Sequence, residues 1–384
     1  MPSPPTEVLI RQHLEQQSAN IEHALHFHKV EARVTGGAVA PRWISFDLQL
    51  PLGQRVNRVL NLADELALAL NVPDVRINRQ GGSIRVQIPR ETPQPIYLPG
   101  LLEQYADNNV PPVTAILGLA ENGRPLLLRL PSPDVAHVMV AGTTGSGKTA
   151  LLKAIALSLA WQNPQRRLQI VLIDPKIRGL HPLADLPHRL TDIISDYNEA
   201  ADWLGYLVDL MEQRDREQIS EPTIVVIIDE LAELLQTGGK VISDLLTRLA
   251  QRGREAGIHL ICGTQKPSAK LVGSLLKANF PVRLVGKVVS PDDARVAAGI
   301  GGTGAERLTG AGDFVAVASG QVTRFQAAYI SNDEILTMVE ELWNCTQSPD
   351  AQQEGDWSEP RWERINGRAP AQSWRVRERR EEGS

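Results

Sequence analysis

The chain has 384 residues, enough for two or three domains, and its 42% apolar and 22% charged residues are ordinary for a globular protein. A net charge of −5 excludes a nucleic-acid binder that is basic in bulk, so any DNA contact has to come from a local basic surface. Cys262 and Cys345 are too few for a four-cysteine zinc site, no apolar run approaches the ~20 residues of a membrane span, and Met1-Pro2-Ser3-Pro4-Pro5 lacks the pattern of a secretory leader, so a reducing, cytoplasmic setting fits.

In chain order, residues 6–27 read as a polar helix with apolar positions Val8, Leu9, Leu14, Ile21 and Leu25. Residues 28–98 predict a small α+β domain. Within it, residues 30–34 and 43–50 alternate as strands do. Residues 57–70 have helical spacing, with Val59, Leu60, Leu62, Leu66 and Leu70, and Asn71-Val72-Pro73 closes the helix. Val75-Arg76-Ile77-Asn78 and Ile84-Arg85-Val86-Gln87-Ile88 flank Gly81-Gly82, a hairpin signal. Residues 89–99 are proline-rich and read as a linker.

Residues 99–343 form the largest predicted domain. Short apolar runs at 138–140, 170–173, 224–228 and 260–261 recur between amphipathic helices. Such alternation predicts an α/β fold with a mainly parallel sheet covered on both faces. Apolar patterning resumes at 314–318 and 325–330, followed by a helix near 333–343. The remainder, 344–384, is a tail, polar and charge-mixed from Gln347 onward, which predicts disorder.

Gly142-Thr143-Thr144-Gly145-Ser146-Gly147-Lys148-Thr149 matches the phosphate-loop pattern without a gap, between a predicted strand and a predicted helix. The glycines allow backbone N–H groups to turn toward phosphate oxygens, and the helix N-terminus adds a favourable dipole. Lys148 is then placed for the β- and γ-phosphates of ATP, and the Thr149 hydroxyl for Mg²⁺. The run 224–228 delivers Asp229 and Glu230 at a strand end, where one carboxylate suits the Mg²⁺ shell and the other polarises the attacking water. Without the upstream loop, the same acid pair would read equally as a helix N-terminus. Gln265, after Thr264 at the end of the next strand, is placed to sense a γ-phosphate; a strand-capping turn is the other reading. Arg252 and Arg254 end a helix predicted over about 241–255, a position favourable for any arginine. The alternative for Arg254 is a finger donated to a neighbouring subunit's ATP. His137, His181 and His259 share no metal spacing and read as structural.

Taken together, these motifs resemble the FtsK/SpoIIIE family of DNA translocases. The phosphate loop has the family's form, although many members carry Ser where this chain has Thr149. Asp174-Pro175-Lys176, Asp229-Glu230-Leu231-Ala232-Glu233, Arg254 with Gly257-Ile258-His259-Leu260, and Thr264-Gln265-Lys266-Pro267-Ser268 follow in order. Leu276-Lys277-Ala278-Asn279-Phe280-Pro281 and Gly310-Ala311-Gly312-Asp313 continue the match. Upstream, residues 59–70 with Val75-Arg76-Ile77 and Val86-Gln87-Ile88-Pro89 look like the family's small α domain, so the likeness covers about residues 30–330. The resemblance implies a RecA-like P-loop NTPase that uses ATP and Mg²⁺, assembled as a homohexameric ring around double-stranded DNA. It implies catalytic roles for Lys148, Asp229, Glu230, Gln265 and, in trans, Arg254. It also places Lys266, Lys277 and Arg295 on channel-facing loops, touching DNA phosphates without reading bases. Each of those three reads otherwise as a solvated surface charge.

The chain departs from the family in several places. It has no membrane helices, no room after residue 343 for a winged-helix domain, only a short stretch between Arg214 and Thr223, and Pro291 where a basic residue is common. The expectation is a compact, soluble member, serving a plasmid or other mobile element. The tail sets Trp357, Trp362 and Trp374 among arginines, a pattern that grips nucleic acid or a protein partner, but its acids nearly cancel those charges. Two other functions compete with DNA translocation. One is a secretion motor, since FtsK-type domains also drive protein export, usually as several domains in one chain. The other is a DNA-binding protein that uses ATP only as an assembly switch, for which the Asp229-Glu230 pair would be superfluous.

Overall fold

A computed structural model of the chain describes residues 6–40, 42–80, 82–91, 94–106, 110–265 and 279–346. Lys266, Lys277 and the tail from residue 347 lie outside the described residues. The chain divides into one unit of Met1–Pro95 with Glu121–Arg124 and another of Ile96–Ala120 with Pro125–Ser384.

The first unit contains α1 (Thr6–Phe27), β1 (Arg33–Val39), β2 (Trp43–Gln49), α2 (Val56–Leu60), α3 (Ala63–Ala69), β3 (Arg76–Gln80) and β4 (Ser83–Pro89). The strands form an antiparallel sheet in the order β1-β2-β4-β3. Side chains alternate across a strand, so Ile44, Phe46 and Leu48 of β2 and Ile84, Val86 and Ile88 of β4 share one face. That face buries Ile21 and Leu25 of α1, Val59 of α2 and Leu66 of α3. Helix α1, read from the sequence as a polar helix ahead of the α+β domain, thus contributes Ile21 and Leu25 to this core. The helix predicted over 57–70 is interrupted at Asn61 and Leu62, whose ψ angles of 1° and 21° leave the helical region. β1 starts at Arg33 rather than residue 30, and it shifts register between Val34 and Gly36.

The second unit contains α4 (Leu98–Gln104), β5 (Thr114–Ala120), β6 (Pro125–Arg129), β7 (Val138–Ala141), α5 (Lys148–Gln162), β8 (Leu168–Ile173), α6 (Tyr197–Glu217) and β9 (Thr223–Ile228). It continues with α7 (Leu231–Arg252), β10 (Ile258–Thr264), β11 (Val282–Val285), α8 (Pro291–Ala298), β12 (Asp313–Ala318), β13 (Gln321–Ala327) and α9 (Asn332–Thr346). Among the described residues its strands form one sheet in the order β6-β5-β13-β12-β11-β7-β10-β9-β8. The ladders from β11 to β8 are parallel. Those from β11 to β6 are antiparallel, so the sheet is mixed and the predicted parallel part is one half of it.

The parallel strands are apolar on both faces because both faces are covered. Val138, Val140, Ile170, Leu172, Val225 and Ile227 pack on one side with α5. Met139, Val171, Ile173, Val226, Ile228 and Leu260 pack on the other with α6 and α7. Helix α5 is buried nearly all round. Its Ser158 accepts a hydrogen bond from Ile116 N at 2.8 Å, and Asn163 at its C-terminus accepts one from Val113 N at 2.9 Å, which satisfies the backbone beside β5. Helix α6 starts where the Asp196 carboxylate caps Asn198 N and Glu199 N at 2.8 and 3.1 Å. Helix α7 is broken at Gly239, whose φ of 57° and ψ of −140° are not helical. No described helix is long and apolar enough to cross a membrane.

Candidate active site

The register of the parallel strands brings the key segments to one edge. Thr264 of β10 lies opposite Ala141 of β7, and Cys262 opposite Ile228 of β9. The residues that follow these positions therefore leave the sheet side by side, at the carboxyl ends of parallel strands, where α/β proteins bind ligands.

The loop after β7 turns through Gly145 and Gly147, whose φ angles of 81° and 98° lie in the left-handed region open to glycine. Gly142 N donates to Thr264 O at 3.1 Å, and Thr143 donates from N and Oγ1 to Lys287 O at 2.9 and 3.0 Å. Lys148, at the first turn of α5, is only 4% exposed. Its ammonium donates to Asp229 Oδ1 at 2.8 Å and to the Asp229 main-chain oxygen. Thr149 Oγ1 donates to the same Oδ1 at 2.8 Å. Phosphate-loop lysine, hydroxyl and strand-end carboxylate thus meet at one atom. The Thr149 hydroxyl and the Asp229 carboxylate are hard oxygen donors of the kind Mg²⁺ takes, so the residues present fit that ion.

Glu230 immediately precedes α7, yet its side chain makes no capping bond to that helix. Its carboxylate instead accepts from Thr264 Oγ1 at 3.1 Å and from Gln265 N at 3.1 and 3.2 Å. The Gln265 side chain completes a circuit, its Oε1 accepting from Thr144 Oγ1 of the phosphate loop at 3.2 Å. Lys148, Thr149 and Asp229 thus form one hydrogen-bonded set and Glu230, Gln265 and Thr144 another, and the two are connected through the Asp229–Glu230 peptide bond and the phosphate loop itself.

Two further features were not legible in the sequence as site components. Asp174, fully buried, accepts from Lys176 N, Gly179 N and Leu180 N at 3.0, 2.8 and 3.0 Å, which folds the loop after β8 back toward β9. That brings Gly179 onto the site, where a Cβ would lie 2.8 Å from Asp229 Oδ2 and 3.0 Å from Thr149 Cγ2. The requirement for glycine could have been suspected only from a structure. Lys176 pairs with Glu233 at 3.2 Å; its hydrogen bond to Glu233, with the charges of Glu230 and Asp229, raises its pKa above the usual lysine range.

Arg254 stands elsewhere. It precedes β10, whereas Gln265 follows that strand, and a seven-residue strand spans ~20 Å. Its guanidinium lies 3.1 Å from the Glu255 carboxylate and is partly exposed. Arg295, on α8, is exposed and pairs with Asp292 at 3.1 Å. His137 and His259 are buried at the starts of β7 and β10. Leu260 N donates to His137 Nδ1 at 3.0 Å, and His259 Nδ1 bonds Ala136 O at 2.8 Å. Among the described residues no cluster of His, Cys, Asp or Glu is suited to a protein-ligated metal.

Two family models match this chain. One described as the FtsK/SpoIIIE family covers residues 99–221 and 214–269, and one described as the FtsK alpha domain covers residues 2–90. The chain is 31% identical over 358 residues to a DNA translocase FtsK of Bacillus cereus, matching 85% of this chain and 44% of that protein. It is 34% identical over 355 residues to a DNA translocase FtsK of Campylobacter jejuni, matching 86% and 37%. To the DNA translocase SftA of Bacillus subtilis it is 32% identical over 349 residues, matching 84% and 36%. The chain thus spans less than half the length of these relatives. Among solved structures, the pCW3 conjugation coupling protein TcpA with ATPγS superposes with a TM-score of 0.59 at 20% identity, covering 86% of this chain and 100% of that one. The cytoplasmic domain of the Thermomonospora curvata type VII secretion ATPase EccC gives 0.53 at 23% identity, covering 60% and 31%. At these identities the likeness is one of fold, the P-loop ATPase fold.

Proposed function

The chain belongs to the FtsK/SpoIIIE family, and from that premise we propose that it hydrolyses ATP to move double-stranded DNA through the channel of a homohexameric ring in the cytoplasm. The observation that carries this reading is the connected group of Lys148, Thr149, Asp229, Glu230 and Gln265 at one edge of the sheet, in a chain that also matches the FtsK alpha domain. Lys148 and the loop N–H groups hold the phosphates, Thr149 and Asp229 hold Mg²⁺, and Glu230 takes the proton from the attacking water. When bound, Mg²⁺ supplies neutralisation of charge on the phosphate oxygens. Gln265 links the loop to the Glu230 carboxylate, so a change at the γ-phosphate is felt at the base.

Arg254 cannot serve the site of its own chain across the length of β10, so its catalytic role on this reading is in trans, at a neighbouring subunit's ATP. Contacts to DNA fall to Lys266, Lys277 and Arg295, of which only Arg295 is described; Asp292 offsets part of its charge.

Protein secretion is the second reading, favoured by the structural likeness to EccC. The match of residues 2–90 to the FtsK alpha domain supports DNA over peptide as the load. The test is the ATPase rate of the full chain with and without linear double-stranded DNA, followed by displacement of a third strand annealed to that DNA. Stimulation and displacement are expected. A folded, ATP-binding protein that shows neither would overturn the motor.

A further inference from the structure

Gly310-Ala311-Gly312-Asp313 has no part in the chemistry above, yet it lies directly on the phosphate loop. Ala311 N donates to Gly145 O and Gly312 N to Ser146 O, both at 2.9 Å. Each bond fixes a peptide plane, and a fixed Ser146 carbonyl fixes the direction of the Gly147 N–H on the other side of that plane. The fit is close. A Cβ on Gly147 would lie 2.8 Å from Gly312 N, and one on Gly310 would lie 3.0 Å from Gly145 O.

The turn does not hold this shape by its own preference. Gly310, Ala311 and Gly312 all have positive φ, at 81°, 48° and 87°, a conformation alanine adopts only when its surroundings impose it. The imposing group is the Asp313 carboxylate, 3% exposed. It accepts from Thr309 N and Thr309 Oγ1, both at 3.1 Å, and from both prongs of the Arg324 guanidinium, Nε at 2.7 Å and Nη2. From the same strand, β13, Gln326 Nε2 donates to Ala311 O at 3.1 Å, and Ala327 N donates to Gly312 O at 2.7 Å.

We infer that this turn is a positioning element for the nucleotide loop, and that Arg324 is the residue that locks it. The inference rests on the reading that the loop binds a nucleoside triphosphate. Arg324 touches no substrate; it acts through Asp313 and the turn backbone on the carbonyls of Gly145 and Ser146. The antiparallel half of the sheet thereby sets the geometry of a site built on the parallel half.

The test is ATPγS affinity of the full chain by calorimetry, beside the thermal midpoint without nucleotide. Arg324→Met should weaken ATPγS binding about tenfold or more, because a two-pronged charged hydrogen bond is lost, and Arg324→Lys should recover part of it. Thr309→Val removes the hydroxyl bond to Asp313 and Gln326→Leu the amide bonds to Ala311 O and Ala327 O, and each should weaken binding severalfold with little change in midpoint. A folded Arg324→Met protein of wild-type affinity would overturn the inference, as would a lowered midpoint with affinity intact. If Arg324→Met does not fold, Thr309→Val decides, and unchanged affinity there is equally fatal. Wild-type protein that fails to bind ATPγS would sink the ATPase reading and this inference with it, whereas normal wild-type binding with indifferent variants sinks only this one.

Discussion

Lys148 and Asp229 are both almost fully buried and face each other at 2.8 Å. Removing one partner of such a pair strands a buried charge, at a cost of about 3–5 kcal/mol. Lys148→Ala is therefore expected to lose nucleotide binding and to lower the thermal midpoint as well, and unchanged ATP affinity would remove the loop from its assigned role. Glu230→Gln separates binding from turnover. The glutamine oxygen still accepts from Thr264 and Gln265, so ATP binding should persist, while loss of the base slows hydrolysis about 10²–10⁴-fold. Normal turnover in a single-turnover assay would exclude Glu230 as the base. These residues were legible in the sequence because they sit in short motifs at strand ends. The Asp313–Arg324 lock was not, since it acts on a loop more than a hundred residues away, and Gly179 gives no local sign that a carboxylate lies against it.

Among the elements, the buried parallel strands were readable because uninterrupted apolar runs have few other uses. β1 was misplaced because its side chains are exposed and its register shifts, so nothing in its hydropathy marks its limits. The joins between elements carry a consequence for pH. Burial lowers the pKa of His137 to about 3, with the His259 charge adding to it, and lowers His188 and His259 to about 4. His137 and His259 tie the starts of β7 and β10, while His188 Nε2 bonds Asn163 O at 2.7 Å at the end of α5. All three stay neutral when folded and take up protons near pH 6.5 when unfolded. The stability they contribute is thus complete above 6.5 and falls as pH drops toward their folded values, by about 1.4 kcal/mol per pH unit for each. Urea midpoints should fall between pH 6.5 and 5, and His188→Gln should reduce that slope. A flat profile would show that these rings are not buried as described.

At the scale of the whole molecule, the proposed ring makes one chain's Arg254 part of another chain's site. Arg254→Ala alone should lose most of its ATPase activity, given the ~10³–10⁵-fold worth of such an arginine. Mixed with Lys148→Ala chains, which are themselves inactive, it should regain a fraction of activity, because some interfaces then join an intact phosphate loop to an intact arginine. An unaltered rate in Arg254→Ala by itself would refute the role. This level was the least legible from sequence, since an intermolecular contact leaves no periodicity within one chain. Helix α7 begins one residue after Glu230 and ends two residues before Arg254, so on the proposed reading it is the covalent link between a subunit's own hydrolysis and its service to its neighbour. An unbroken helix would be a push-rod, delivering each displacement at one end to the other. The left-handed backbone at Gly239 makes it two rods with a joint. On the proposed reading, a displacement at Glu230 would be absorbed in part at that joint before it reaches Arg254, the arginine this subunit lends its neighbour.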